Sequence, residues 1–400
     1  MVKVILKKGR EESVIRFHPW IYSGAVAQIV GSPLEGDLVS VCSYQGEILA
    51  TGHFQSGPVA VRILSFDSDC LKPDFYEVMI RRAYNLRLAL GIAGNCNNQT
   101  GQAYRLVNGE GDNLPGLTVD FYDGVCVIKA HSAGIFRARK SVCDALMTVY
   151  GDQLKAVYDR SASQVLSRAG IDAVNGYIWR APDFEAGDYT VIEEGDMKYR
   201  VNWTDKGFSF PLDLRDGRKS LHDLAAGREV LSLYSGVGAF AVAAMAGGAV
   251  HVDCVDSSAW TVRVAENNAA ANDCDDSLCD RYVADPMDFL KMSEYGKYNL
   301  MVVNPPAFAK HKGAFASAMA AYRKLNQLAL EKVSTGGLVF TYSCSNVVGR
   351  TDFVQAVFAA AAKAGRSVRV IGQLGLSADH PVNVFHQEGD YLKGLIIFVE

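Results

Sequence analysis

Apolar and polar residues alternate over short stretches in the first 66 positions. Runs such as Leu38–Cys42 and Val59–Leu64 are separated by Gly31-Ser-Pro33, Gly36-Asp37 and Gln45-Gly46. Short strands joined by turns have this texture, and a small β-barrel is the expectation. Phe75–Leu90 then reads as a helix, with Pro73 at its entrance and Gly91 as its stop. A polar loop covers 94–101. Strand-like Leu117–Phe121 and Val125–Lys129 flank one helix near 135–150, predicting an α+β insert that ends near Arg180. From residue 228 the period switches repeatedly. Strands at 230–234, 251–256, 281–284, 299–303 and 338–342 each precede a helix, at 239–245, 258–271, 286–292, 315–333 and 351–364, and two strands close the chain. Such alternation predicts an α/β fold with a doubly wound, mostly parallel, Rossmann-like sheet that binds ligands at the carboxyl ends of its strands. Three domains are expected: a barrel over 1–70, a central α+β domain with its linker helix over 71–188, and the doubly wound domain over 189–400.

Composition narrows the classes. The 400 residues are 49% apolar and 21% charged, with 37 Gly and 11 Pro, which excludes a disordered, fibrous or disulfide-stapled chain. The longest apolar stretches, such as Gly394–Val399, are strand-sized, far short of the roughly 18 residues of a membrane span. The N-terminus alternates like a strand and lacks the apolar block of a leader. A cytoplasmic protein without a membrane partner is expected. Nine Cys stand singly, at 42, 70, 96, 126, 143, 254, 274, 279 and 344. No CxxC pair or zinc spacing occurs, so no metal is expected and most thiols should be free and buried. The net charge of −4 divides evenly, at −1 over 1–70, −1 over 71–200 and −2 over 201–400. Taken over the whole chain, that speaks mildly against a nucleic-acid partner. A local basic face could still come from Lys3, Lys7, Lys8, Arg10 and Arg16 in the barrel and from Lys310 and Lys312.

Chemistry-bearing residues fall at consecutive strand ends. Tyr234-Ser235-Gly236-Val-Gly238-Ala-Phe-Ala241 is a glycine turn before a helix, whose N-terminal amides favour polar or anionic groups. Asp256 lies twenty residues after Gly236, with Ser257 beside it, well placed for ribose hydroxyls. Alone, this also fits a dinucleotide fingerprint and a nicotinamide dehydrogenase. Asp285 after the third strand and Asn304-Pro305-Pro306-Ala-Phe308 after the fourth discriminate. A glycine loop, a ribose acid, an adenine-side Asp and an Asn-Pro-Pro-x-aromatic, in that order, form the pattern of S-adenosylmethionine (SAM) methyltransferases. The two prolines stiffen the loop that presents Asn304. Phe308 has the ring to stack on a base. Cys344, in Thr341-Tyr-Ser-Cys-Ser-Asn346, ends the fifth strand within reach of the same place. A thiolate there could attack C6 of a pyrimidine and make C5 nucleophilic; the bland alternative is a buried small hydrophobe. Helix 315–333 carries a core stripe (Phe315, Met319, Tyr322, Leu325, Leu328, Val333), with Arg323, Lys324 and Lys332 expected in solvent. His18-Pro-Trp20 reads as barrel packing.

Nearly end to end, the chain resembles the PUA-containing class I methyltransferases of 23S ribosomal RNA, a family that includes a bacterial cytosine-C5 enzyme. Phe17-His-Pro-Trp-Ile21, Gly36-Asp37 and Val61–Leu64 look like its PUA barrel. Tyr104–Asp120 (Tyr-Arg-Leu-Val-Asn-Gly-Glu-Gly-Asp-Asn-Leu-Pro-Gly-Leu-Thr-Val-Asp) is similar to its central domain. Leu212–Arg218, Ser343-Cys344-Ser345, Asp379-His-Pro381 and Tyr391-Leu-Lys-Gly394 match further motifs. The resemblance implies SAM as cofactor, ribosomal RNA as partner, 5-methylcytosine as product and Cys344 as nucleophile. Tyr234, Ser235, Gly236, Gly238, Asp256, Ser257, Asp285 and Asn304 would line the cofactor, and Pro305, Pro306 and Phe308 the target base. Three departures stand out. Lys206-Gly207 replaces a Lys-Thr-Gly, the glycine loop is Tyr-Ser-Gly-Val-Gly, and Asn304 stands where the family has Asp. No second Cys flanks the Asn-Pro-Pro, so the base that removes the C5 proton is water or another group.

Asn-Pro-Pro is also what purine amino-group methyltransferases use, which leaves a guanine or adenine target, at an exocyclic amine or N7, with a bystander Cys344 as the alternative. A non-catalytic RNA-binding assembly factor is a further reading; the intact Gly236, Asp256, Asp285 and Pro305-Pro306 set speaks against it. Oligomeric state is left open, a homodimer included.

Overall fold

The computed structural model describes residues 2–67, 71–94, 101–162, 164–187, 189–205 and 210–400. Cys70, Cys96, most of the 94–101 loop and the Lys206-Gly207 departure lie outside the described residues. The chain forms two compact units, residues 1–187 with 378–389, and residues 188–377 with 390–400.

In the first unit, six short strands between Val2 and Ser65 form one sheet. Its edge strands, Trp20–Tyr22 and Val26–Val30, are joined by only the three-residue turn Ser23–Ala25. So short a link brings the two edges together and curls the sheet into a barrel. Val4, Leu6, Val39, Val41, Val61 and Ile63 fill it. Lys3, Lys7, Lys8, Arg10 and Arg16 are all exposed on it. His18-Pro-Trp20 does more than pack the barrel: Trp20 Nε1 donates to Glu110 at 2.8 Å, and the His386 ring lies 4.3 Å from the indole.

The same unit carries the helix Phe75–Ala89, ending ahead of Gly91, and a five-stranded sheet with the helix Ala133–Tyr150. Arg87 is fully buried. It meets both oxygens of Asp112 and donates to the carbonyls of Arg105 (2.8 Å) and Asp379 (2.6 Å). A buried guanidinium is tolerated when it is paired and fully hydrogen-bonded, and this one ties residues 378–389 to the sheet. Gly111 admits the same segment, since a Cβ there would stand 1.8 Å from the Pro381 carbonyl oxygen.

The second unit is built on seven strands: β1 (Glu229–Leu233), β2 (His251–Asp256), β3 (Cys279–Val283), β4 (Leu300–Val303), β5 (Gly337–Ser343), β6 (Val368–Leu374) and β7 (Lys393–Val399). Their order is β3-β2-β1-β4-β5-β7-β6. The first five are parallel, and β7 enters antiparallel between β5 and β6. A dinucleotide fold instead has order 3-2-1-4-5-6. Helices α1 (Arg215–Leu224), α2 (Ala239–Ala246), α3 (Ala259–Ala270), α4 (Pro286–Met292), α5 (Phe315–Lys332) and α6 (Arg350–Ala364) accompany it. The expected apolar stripe of α5 is the main core contact, with Tyr322, Leu325, Leu328 and Val333 buried. Lys332 departs from expectation. It is buried, its ammonium donates to the Ser293 carbonyl and lies 3.9 Å from the Tyr295 ring, because its long stem reaches a polar slot within the packing.

In the second unit, a hairpin (Thr190–Glu194 with Met197–Val201) and α1 went unforeseen in the sequence. A buried ion pair joins them: Arg218 grips Glu194 through Nε and Nη2, each at 2.7 Å, and Arg215 adds a bond at 3.3 Å. Burial alone would raise the Glu194 carboxyl, but the two guanidiniums outweigh it and hold it below its ordinary value.

Candidate active site

The carboxyl ends of β1, β2 and β4 converge on the glycine turn. Tyr234 has φ 56° and Gly236 φ 53°, and a left-handed tyrosine is the kind of strain that functional turns hold. Gly236 N–H donates to Asp256 Oδ2 at 2.9 Å. Asp256 Oδ1 accepts from Ser258 N (2.9 Å) and Thr261 Oγ1 (3.0 Å). Asp256 therefore locks the turn onto the start of α3, and its carboxylate, with about four acceptor positions, keeps one for a hydroxyl. Ser257 beside it is exposed.

The two glycines have different neighbours. A Cβ on Gly236 would meet nothing within 4 Å, whereas one on Gly238 would stand 2.6 Å from the Ala265 methyl of α3. Gly238, left-handed at φ 75°, is needed for close helix packing, and the open face belongs to Gly236. Asn268, which sequence reading missed, is fully buried; it donates to the Val237 carbonyl (2.8 Å) and accepts from Arg200 N (2.7 Å), fixing the turn against the hairpin.

Asp285 is exposed at the start of α4, where its side chain caps Asp288 N at 3.0 Å. Tyr234 senses that carboxylate: burial first, then Asp285, pushes its hydroxyl up to about 12. Asn304 follows β4 with its N–H directed at the Leu233 carbonyl at 3.5 Å, so the Asn-Pro-Pro abuts the end of β1. Pro305 is buried and Pro306 exposed. The half-buried Phe308 ring packs 4.8 Å from Tyr322 in the core, not free in solvent.

Cys344 follows β5, half-buried, its Sγ directed at the Pro305 carbonyl at 3.8 Å. The serines either side explain the Ser-Cys-Ser pattern. Ser343 Oγ donates to the Tyr322 hydroxyl (2.9 Å) and Ser345 Oγ to the Ala309 carbonyl (2.8 Å), both fully buried. Each clamps one side of the cysteine to the Asn-Pro-Pro loop or to α5. Two charged residues also stand near, neither singled out from sequence. Asp213 accepts from the Tyr391 hydroxyl at 2.8 Å, and its carbonyl from Ser377 Oγ at 2.9 Å. Lys393, buried, donates to the carbonyls of Ser345 (2.6 Å) and Tyr391 (2.8 Å). Burial and then Asp213 raise the Cys344 thiol, opposed by its own N–H, Lys393 and the Ala307 N–H. The signals available were the Leu212–Arg218 and Tyr391–Gly394 motifs, which gave position without a role.

The residues present suit SAM. Ser235 Oγ is buried without a partner, the Gly236 face is open, and Asp256 retains an acceptor position beside it.

Comparison with known proteins places this geometry. The S-adenosylmethionine-dependent methyltransferase family matches residues 105–382, and a PUA-like domain family matches residues 4–66. The class is thus a SAM-dependent α/β methyltransferase carrying a PUA-like domain, with SAM as its cofactor. A protein of Erwinia tasmaniensis named Ribosomal RNA large subunit methyltransferase I is 35% identical over 399 residues, covering 98% of both chains. Its namesake from Klebsiella pneumoniae is 33% identical, over 98% of this chain and 97% of its own. This chain belongs to their family. Solved structures agree on the fold: one described as a SAM-dependent methyltransferase from Streptococcus mutans gives TM-score 0.83 at 22% identity, and a methyltransferase complexed with SAH gives 0.84 at 23%, each covering both chains fully. No helix among the described residues is long and apolar enough to cross a membrane.

Proposed function

We propose that this chain methylates C5 of a cytosine in 23S ribosomal RNA, in the cytoplasm, through a transient adduct with Cys344. The relatives' names supply the substrate class. The observation that carries the chemistry is Cys344 at the end of β5, clamped by two buried serines and turned toward the Asn-Pro-Pro loop. In this reading the barrel (1–70) holds RNA, the α+β domain with its linker helix (71–188) follows it, and 189–400 performs the reaction. Tyr234, Ser235, Gly236, Gly238, Asp256, Ser257, Asp285 and Asn304 hold SAM, which supplies an electrophilic methyl group.

Asn304 presents a carbonyl and an amide to the base edge, Pro305 and Pro306 keep it rigid, and Phe308 walls the base. Cys344 Sγ, as thiolate, bonds to C6, and the C5=C6 pair becomes a nucleophile at C5. Once C5 carries the methyl, its proton leaves to a base, the double bond re-forms and the C6–S bond breaks. Sulfur departs as thiolate, so the enzyme is regenerated.

Ribosomal RNA carrying 5-fluorocytosine tests this, since fluorine cannot leave as a proton. A SAM-dependent covalent adduct should form, and Cys344→Ala should abolish it and lower turnover at least about a thousandfold, as expected for loss of a nucleophile. SAM binding should survive. Absence of an adduct with the methylated RNA overturns the reading. One observation favours a second reading: Asn304 and a thiol held protonated suit methylation of a purine amine, for which methylated adenosine or guanosine in the product nucleosides, unaffected by Cys344→Ala, would be the result.

A further inference from the structure

Lys393 is a buried ammonium with no carboxylate at ion-pair distance among the described residues; its two hydrogen bonds go to neutral carbonyls. Of the other buried cations, Arg87 and Arg218 have carboxylates of their own, Asp112 and Glu194, while Lys332 is held by a carbonyl and an aromatic ring far from any cysteine of the site. An uncompensated buried charge costs several kcal/mol, on the order of what folding itself yields. Its place is informative. Lys393 pairs in register with Ser343, the residue before Cys344, and its Nζ holds the carbonyl of Ser345, the residue after. The side chain thus straddles Cys344, with one of its three N–H donors unspent. Asp213 approaches from the loop before α1, held by Tyr391, which also accepts from Lys393 through its carbonyl.

Resting on the Cys344 reading above, we propose that Lys393 is the built-in counter-ion of the Cys344 thiolate and that Asp213 is the opposing charge, so that the pair brackets the nucleophile's ionisation. Both act through Cys344 and are positioning residues. Asp213 disfavours the thiolate and Lys393 favours it. Burial depresses the Lys393 ammonium, Asp390, Cys344 and Asp352 sustain it, and Arg350 opposes them. When the thiol loses its proton to solvent, Lys393 and Cys344 become a neutral buried pair and the cost of the isolated ammonium is removed. When Cys344 bonds to a base it loses that charge, which Lys393 then stabilises again as sulfur departs.

A purely structural Lys393, there only to tie two carbonyls, would leave the thiol's titration unmoved. The measurement is the pH dependence of Cys344 alkylation by iodoacetamide in the full-length protein, read on the Cys344 peptide by mass spectrometry. Lys393→Met should move the midpoint up by about one unit or more, and Asp213→Asn should move it down, in line with charges at close range. Near pH 8 the first change slows alkylation about tenfold. An unmoved or lowered midpoint in Lys393→Met overturns the counter-ion role. Should that variant not fold, Asp213→Asn decides: a midpoint that stays or rises overturns the bracket. No RNA enters this assay. A failed fluorocytosine trap with an intact bracket therefore removes the cytosine reading alone, and the converse removes only the bracket.

Discussion

At the carboxyl ends of β1 and β2 the contacts that shape the site are short in sequence and mostly to backbone: Gly236 to Asp256 spans 20 residues, and Asn268 to Val237 spans 31. Around Cys344 the spans are longer and the groups more charged. Cys344 to Pro305 spans 39 residues, Lys393 to Ser345 spans 48, and Tyr391 to Asp213 spans 178. The glycine side is a turn whose form is dictated by φ angles and by one acid that accepts three hydrogen bonds. The Cys344 side is an electrostatic assembly brought together by β7 folding back between β5 and β6. In the function proposed above, the first end presents backbone to a ligand common to a whole class and the second tunes a particular reaction. Their weak points should differ accordingly.

The largest expected effect lies at the ion pair that holds α1, next to the segment carrying Asp213. Glu194 and Arg218 are buried in bidentate contact, and Arg218 belongs to α1, directly after the segment that carries Asp213. Glu194→Gln leaves the guanidinium buried and unmatched, which should cost about 3–5 kcal/mol, measured by denaturant unfolding. The carboxyl is held below its ordinary value in the folded state, so its contribution is complete above that ordinary value and fades as pH falls through the lower, folded one. The difference in Tm between wild type and variant should therefore be full at pH 7 and shrink below about pH 4. A gap that widens on acidification would contradict the assignment.

Gly238→Ala comes next. It places a methyl 2.6 Å from Ala265, which has no rotamer with which to retreat, at a left-handed residue. Overpacking and the φ penalty together should cost about 2–4 kcal/mol, with SAM affinity changed only as far as the fold is. Asp256→Ala should act on both, loosening the turn that the carboxylate holds through three hydrogen bonds and weakening SAM about tenfold, the worth of one charge-assisted bond, as read by calorimetry on folded protein.

How much of this was legible beforehand follows from the same contrast. The strands, the α5 stripe and the glycine-turn, Asp256 and Asn-Pro-Pro motifs could be read because each is a local pattern with its own periodicity or turn chemistry. Cys344 was singled out by its place at a strand end. Asp213 and Lys393 were hidden because nothing near them in sequence shows that β7 pairs with β5. Lys332 was misplaced for a related reason. A lysine on a polar helix face gives no sign that Tyr295 and the Ser293 carbonyl will cover it. The roles of the two glycines were not separable either: both read as turn residues, and only the position of Ala265 tells them apart.

Gly236→Ala, the smallest expected change in stability, separates those roles. The residue is left-handed at φ 53°, so alanine should cost about 1 kcal/mol in folding. Its new methyl points into space where nothing of the protein stands within 4 Å, so no packing penalty is added. If that space is where SAM approaches the turn, the methyl intrudes on the ligand instead. Affinity should then fall at least several-fold in a protein whose Tm moves only by a few degrees. Gly238→Ala should give the reverse pattern, a large Tm loss with a modest change in binding once folded protein is counted. Equal binding losses from the two variants would place the ligand against both glycines and remove the distinction between a face for packing and a face for cofactor. Unchanged binding in Gly236→Ala would move SAM away from the open side of the turn altogether, leaving Ser235 and Asp256 to account for its capture.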